Sequence, residues 1–423
     1  MKKLLLLSTL ALSHWAFAQA PEKCGSMQAH QHQLQHPVYG PKTAAVQGAA
    51  NQWLANNPQA ASNRSIVTIP VVVHVVYKNA TQNITDQQVY SQIAVLNQDF
   101  RRLNADTANT PAVFDSIAAD MGIEFCLATT DPNGNPTNGI TRTSTTGGQL
   151  FGFFGPFDDV KASSTGGIDP WPTDKYFNIW VCELFPGLLG YAQFPGGDPA
   201  TDGVVITYNA FGTIGTVQAP ALLGRTTSHE VGHWLGLYHI WGDDQDCTTG
   251  SDSIPDTPNA AAASQSDCNV TLNSCNNEDP YWGTLDPPDM VQNYMDYSND
   301  SCMNMFTLGQ KVRAQSFLAT DTLRIALLSS NVGCNPLGIV NTTIDKYFSF
   351  YPNPSDGMIN VSYFGNLSGL IQYDIYSITG QWVKGFTAGP GNTQLNLEDL
   401  QPGVYTIRIT NNNESGVQRI VIQ

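Results

Sequence analysis

At 423 residues the chain is long enough for more than one domain and a substantial core. Its 35 acidic residues against 19 basic ones give a net charge of −16, which argues against nucleic acid and against anionic membrane surfaces as partners. The first residues, MKKLLLLSTLALSHWAFAQA, carry Lys2 and Lys3, an apolar run from Leu4 to Leu12 and an A-x-A site at Ala16 to Ala18, the pattern of a signal peptide over 1–18. No other run approaches the roughly 18 apolar residues of a membrane span, so an exported chain with no transmembrane segment is expected. In that setting the 8 cysteines read as a disulfide framework.

Residues 19–64 are polar and rich in Gln, Ala and His. One helix is expected near Thr43 to Leu54, with little to form a core, and the stretch reads as a pro-segment or linker. IVTIPVVVHVVY (Ile66 to Tyr77) is dense in β-branched residues and predicts a buried strand, with Pro70 hinting at an edge or a bulge. Val89, Ile93, Leu96 and Phe100 recur at helical spacing within Thr85 to Leu103. Further strands are expected at Gly122 to Ala128, Tyr176 to Leu184 and Gly203 to Tyr208. Cys126 and Cys182 fall in mid-strand, either bonded to each other or simply buried.

The chemistry concentrates in TSHEVGHWLGLYHIW, Thr227 to Trp241, on a helix expected to run from near Pro220 to Gly236. His229 and His233 are four apart, so a helix turns both imidazoles to one metal ion. Glu230 is placed to act as general base on a metal-bound water. Gly236 can take positive φ and bring His239 back as a third ligand. Three protein ligands leave one tetrahedral position of Zn²⁺ open, the catalytic pattern, whereas structural zinc sites have four. Beyond lie acidic loops around Asp243 and from Asp252 to Asp256, NYMDYSNDSC from Asn293 to Cys302, and a last helix near Thr307 to Leu328. From Lys346 onward, short alternating strands between Asn, Pro and Gly turns predict a small β-sandwich.

The zinc motif, IPVVVHVVY and NYMDY together resemble the metzincin metallopeptidases, and within them the pappalysin family, over about Ile66 to Cys334. The resemblance implies an α+β fold: a metzincin-like zinc metallopeptidase domain, with a twisted mixed sheet, an active-site helix and a loop-rich C-terminal subdomain, followed by an Ig-like β-sandwich. It implies zinc on His229, His233 and His239, a water activated by Glu230, Met295 in a Met-turn beneath the metal, and Tyr297 stabilising the tetrahedral intermediate. It further implies the disulfides Cys247–Cys275 and Cys268–Cys302, and a Ca²⁺ site on Asp252, Asp256 and the Thr257 carbonyl. Cys24 resembles the family's cysteine switch and Arg64-Ser65 its maturation junction. Ser301 departs from the pattern, because arginine-preferring relatives carry an acid there; Asp300 stands one place earlier.

The pieces FYPNPSDG, YDIYSITG, LQPGVYTIRI and VQRIVIQ resemble a type IX secretion sorting domain. The expected divisions are a signal peptide at 1–18, a pro-segment at 19–64, a metallopeptidase domain at 65–335, a linker at 336–345 and the sorting domain at 346–423. The expected function is that of a secreted, initially latent zinc endopeptidase, extracellular or attached to the outer cell surface. Its partners would be protein or peptide substrates and the type IX machinery. The alternative is a surface adhesin or binding protein on a non-catalytic metzincin scaffold, against which Glu230 argues, since binding alone needs no general base. Extended substrates are expected to pair with the strand near Gly203 to Tyr208.

Overall fold

One long strand organises the N-terminal sheet. The computed structural model describes residues 23–62, 65–146, 151–152, 158–243, 246–247, 251–265, 268–276, 281–335, 348–363, 369–377, 382–411 and 414–423; the signal-peptide segment, Arg64 and the linker 336–345 lie outside them. Two helices, α1 (Ser26–Gln35) and α2 (Tyr39–Asn56), precede the strand β1 (Val67–Tyr77). Then follow α3 (Asp86–Phe100), a short α4 (Ala112–Asp115), β2 (Ile123–Ala128), β3 (Ile140–Ser144), β4 (Phe177–Cys182), β5 (Gly190–Ala192) and β6 (Val204–Thr207). The helix α5 (Arg225–Trp234) carries the histidine motif, and α6 (Leu308–Thr320), α7 (Thr322–Leu328) and β7 (Cys334–Asn335) close this part.

The sheet has the order β5-β6-β4-β1-β2-β7, with β3 also on β1. β1 is long enough to take β2 along Val67 to Val71 and β3 along Val73 to Tyr77, both parallel, while its other edge pairs with β4. Its largely apolar run, broken by Thr68 and the buried His74, follows from burial on both faces. Val71, Val73 and Val75 enter the main core with Ile93, Leu96, Phe100 and Val231, whereas Val72 and Val76 face smaller clusters on the opposite side. Pro70 lies in this central strand rather than at an edge. It is tolerated because β4 begins opposite Val71, so Pro70 faces β2 alone.

Other boundaries moved for local reasons. α5 starts five residues later than Pro220, at Arg225, because Gly224 before it is left-handed at φ 73°. The last helix is two: Asp321 is extended (ψ 123°) and caps the second, accepting from Leu323 N–H at 3.0 Å. The pro-segment also packs, contrary to expectation. α2 lies against α6 with Gly40, Thr43 and Ala50 buried, and α1 lies against β5. Cys182 is a buried free thiol and Cys126 is disulfide-bonded, so the two are not joined to each other.

The C-terminal strands β8 (Phe348–Tyr351), β9 (Met358–Tyr363), β10 (Ile371–Ser377), β11 (Trp382–Ala388), β12 (Thr393–Asn396), β13 (Gly403–Asn411) and β14 (Glu414–Ile422) form two antiparallel sheets. Their orders are β11-β10-β13-β14 and β12-β9-β8. Ile359 and Val361 of one sheet and Tyr373, Ile375, Ile407 and Ile420 of the other share a single core.

A buried ion pair ties α7 to the floor of the motif helix. Arg324, with no exposed surface, donates to both Asp202 carboxylate oxygens at 2.6 and 3.0 Å and to Trp234 O at 3.2 Å, its guanidinium 3.8 Å from the Trp234 ring. Removing one partner leaves the other charge uncompensated. Arg324→Met should therefore cost about 3–5 kcal/mol, read from the urea unfolding midpoint by tryptophan fluorescence. A loss below about 1 kcal/mol, typical of an exposed pair, would contradict this account.

Candidate metal centre

α5 brings His229 and His233 to one face, and Gly236 does the rest. Its φ is 86°, and an added Cβ would lie 2.1 Å from the Phe317 ring, so both the turn and the close approach demand glycine. The chain then reverses and returns His239. The three Nε2 atoms stand 3.1, 3.1 and 3.2 Å apart, and all three rings are buried.

The opposite nitrogens settle the tautomers. His229 Nδ1 lies 2.7 Å from Tyr294 O and His233 Nδ1 lies 2.8 Å from Leu237 O. A carbonyl only accepts, so both Nδ1 atoms carry the proton and both Nε2 lone pairs turn inward. His239 Nδ1 lies 2.6 Å from the Asp243 carboxylate, which acts in the same way. Burial holds His229 down to about 3 and His233 well below the usual imidazole range, so both are neutral near pH 7. Three inward lone pairs at this distance repel unless a cation sits between them. Tetrahedral zinc at ordinary Zn–N distances keeps its nitrogens about 3.3 Å apart, so the set fits that ion closely.

Met295 packs directly beneath α5. At Gly232 an added Cβ would lie 2.3 Å from the methionine sulfur, so the helix and this loop meet at a glycine. Asn293 holds the loop, its Oδ1 accepting from Met295 N–H at 2.9 Å and from Gln310 of α6 at 2.9 Å. Tyr297 packs edge-on to His239 at 4.9 Å, and Trp241 stacks on His239 at 4.2 Å.

The N-terminal segment enters this centre. Lys23 O accepts from Leu189 N–H at 2.7 Å, Cys24 pairs in parallel with Gly190, and Gly25 N–H donates to Gly190 O at 2.9 Å. Among the described residues, the metal-capable donors that converge are Cys24 Sγ and the three histidines, all within 4.8 Å of one another. Glu230 is fully buried, and burial raises its carboxyl to about 8. Its Oε2 accepts from Ser26 Oγ at 2.6 Å and lies 3.5 Å from Cys24 Sγ, while Ser26 Oγ in turn accepts from Ala192 N–H at 2.7 Å. The Tyr297 hydroxyl donates to Cys24 O at 3.3 Å.

Other anticipated residues lie around the centre rather than in it. Disulfides join Cys247 to Cys275 and Cys268 to Cys302, as the resemblance implied. Asp300 is buried and accepts from Leu223 and Arg225 N–H at 2.8 and 3.2 Å, so its carboxylate caps α5, while Ser301 is exposed. Asp256 accepts from Thr307 Oγ1 and Gly309 N–H, each at 2.7 Å, at the start of α6. Asp252 Oδ1 accepts from Ile254 N–H and Thr257 Oγ1, whereas its Oδ2 is buried with no hydrogen bond and burial lifts the carboxyl to about 8.

β6 pairs on both sides, with β4 and β5, so it offers no edge to a substrate. The open edge is β5, too short and glycine-containing to stand out as a strand in the sequence. In the sequence only closeness to Cys24 marks Ser26 and Lys23, and Asp243, at i+4 from His239, stands there simply as part of an acidic loop.

Comparison with known proteins agrees with this geometry. Residues 163–319 match the peptidase M43 family described as pregnancy-associated plasma protein-A, and residues 349–423 match the secretion system C-terminal sorting domain. An extracellular metalloprotease of Pyricularia oryzae is 32% identical over 286 residues, which cover 66% of this chain and 84% of that protein. One of Colletotrichum graminicola is 31% identical, covering 73% of this chain and 95% of that protein. Among solved structures, Tannerella forsythia mature mirolysin in complex with a cleaved peptide is 49% identical at TM-score 0.59, over 65% of this chain and all of that one. A Tannerella forsythia promirolysin mutant is 44% identical at TM-score 0.63, over 74% of this chain and all of that one.

The triad should hold one zinc per chain through dialysis, counted by elemental analysis of the purified full-length protein. His233→Ala should lower the zinc affinity at least about 100-fold while leaving the C-terminal sheets folded. Full zinc retention in that variant would show that the metal sits elsewhere.

Proposed function

The chain belongs to the pappalysin family of metallopeptidases and ends in a type IX secretion sorting domain, and we propose from this premise that it is a zinc endopeptidase kept latent by its own N-terminal segment. It is a secreted or cell-surface metalloendopeptidase, and no helix among the described residues is long and apolar enough to cross a membrane. The carrying observation is Glu230, a buried carboxylate one residue from His229, beside three converging imidazole lone pairs. A non-catalytic adhesin would have no use for it.

The chain's residues divide the work. His229, His233 and His239 would hold zinc, which when bound polarises a carbonyl and makes a water acidic. Glu230 takes the proton from the attacking water and returns it to the leaving amine. Tyr297 donates to the carbonyl oxygen as charge develops on it; its present acceptor, Cys24 O, is a backbone carbonyl standing where a substrate's would be. Met295 supports the helix from below. The edge of β5 receives the extended substrate by backbone pairing, in place of β6.

Latency follows from occupation of the same positions. Cys24 Sγ fills the open side of the triad, where a thiolate is a good zinc ligand. Ser26 is a second restraint, since its hydroxyl both holds the general base and takes the N–H of Ala192 that a substrate would use. Cleavage at Arg64-Ser65 and loss of the pro-segment would release both. Asp252, Asp256 and the Thr257 carbonyl form a calcium site, supported by the unpartnered Asp252 oxygen. The two C-terminal sheets form an Ig-like sandwich read by the type IX machinery, within the divisions 1–18, 19–64, 65–335, 336–345 and 346–423.

Processed protein should hydrolyse casein, and a chelator should abolish this. Glu230→Ala should fold, keep its zinc and lose about 10²–10⁴-fold in kcat; undiminished turnover would remove Glu230 from the chemistry. Before processing, Cys24→Ala should show partial activity against a short peptide. Cys24→Ala with Ser26→Ala should show at least about threefold more, and equal activities would dismiss the serine restraint.

A further inference from the structure

Past Ser26 the N-terminal segment continues into α1 and seats a ring in the catalytic part. The His30 imidazole lies 4.2 Å from Phe194 at 33° and 6.0 Å from Tyr238. Phe194 and Tyr238 stack on each other at 5.4 Å and 26°. The platform adjoins the metal centre, for Phe194 lies 5.3 Å from the ring of His233.

It is held from behind. The Arg313 guanidinium lies 4.8 Å over Tyr238 and donates to Gly236 O at 2.7 Å, an anchor within the catalytic part, as well as to Gln47 of α2 at 3.1 Å. His30 is buried, yet its Nδ1 makes no hydrogen bond. The slot therefore holds the ring through its faces, with no hydrogen bond to Nδ1. Beside the ring a cavity of about 380 Å³ opens between the N-terminal helices and Phe194, Pro195, Tyr238 and Phe317.

We propose that Phe194 and Tyr238 form a substrate subsite for a planar side chain, Phe, Tyr, Trp or His, among the residues preceding the scissile bond. Position gives the side. The pro-segment runs parallel to β5, from Lys23 at Leu189 to Ser26 at Ala192, and reaches Phe194 through α1. A substrate in the stronger antiparallel pairing enters from the Phe194 end, so the residues before the scissile bond pass the platform. Offset or tilted stacking then adds affinity beyond apolar burial. The inference rests on the endopeptidase reading above.

The test uses the zinc-loaded chain after processing at Arg64-Ser65, on peptides in which Phe or Gly is scanned through the positions before one cleavage site, with casein alongside. At one position Phe should raise kcat/KM about tenfold over Gly. Phe194→Leu and Tyr238→Ala should each bring that ratio below about threefold, and a ratio does not depend on the folded fraction. Casein hydrolysis with no preference at any position, or with a preference both variants keep, would overturn the subsite alone. Failure to cleave casein or any peptide would overturn the endopeptidase reading and the subsite together.

Discussion

Three imidazole nitrogens with inward lone pairs, none more than 3.2 Å from another, are tenable only around a cation. Much of the surrounding structure keeps them there. Tyr294, Leu237 and Asp243 each accept from an Nδ1 and so aim the opposite nitrogen. Gly236 makes the return of His239 sterically possible, and Gly232 lets the Met295 loop close beneath the helix. Arg324 fixes the end of the same helix by binding Asp202 and Trp234 O from below.

The same constraint explains how the N-terminal segment engages. A metal site with three protein ligands has one open side, and β5 runs beside it with a free edge. The segment takes both at once: backbone pairing along Leu189 and Gly190 brings Cys24 to the triad, and Ser26 to Glu230. The residues that would serve a substrate are thereby the ones occupied, namely the base, the Tyr297 hydroxyl and the Ala192 N–H. The polar composition that made residues 19–64 look unable to pack is consistent with this, because their burial is against the rest of the chain. Thr43 of α2, for example, is buried against the Gly196 turn of the catalytic part.

The metal site was legible because its information is local. The spacing of His229, Glu230, His233, Gly236 and His239 encodes helix, turn and ligand geometry within eleven residues. The two disulfides were legible only through family resemblance, since cysteine positions do not determine pairing. Contacts made across the fold were not legible. β5 is three residues long, so no periodicity marks it, and the strand the sequence does mark, β6, lies inside the sheet. Asp300 lines one cavity with His229, Glu230 and Tyr297, and its place in the sequence does not reveal that its carboxylate also accepts at the N-terminus of α5. Asp321 split the last helix through a capping bond that helical spacing does not reveal.

Zinc X-ray absorption on the full-length chain, before and after removal of the N-terminal segment, addresses the central claim most directly. The account predicts three nitrogens and one sulfur around the metal in the precursor, with the sulfur lost on processing and absent from Cys24→Ser. A precursor spectrum without sulfur, or one unchanged by processing, would contradict it.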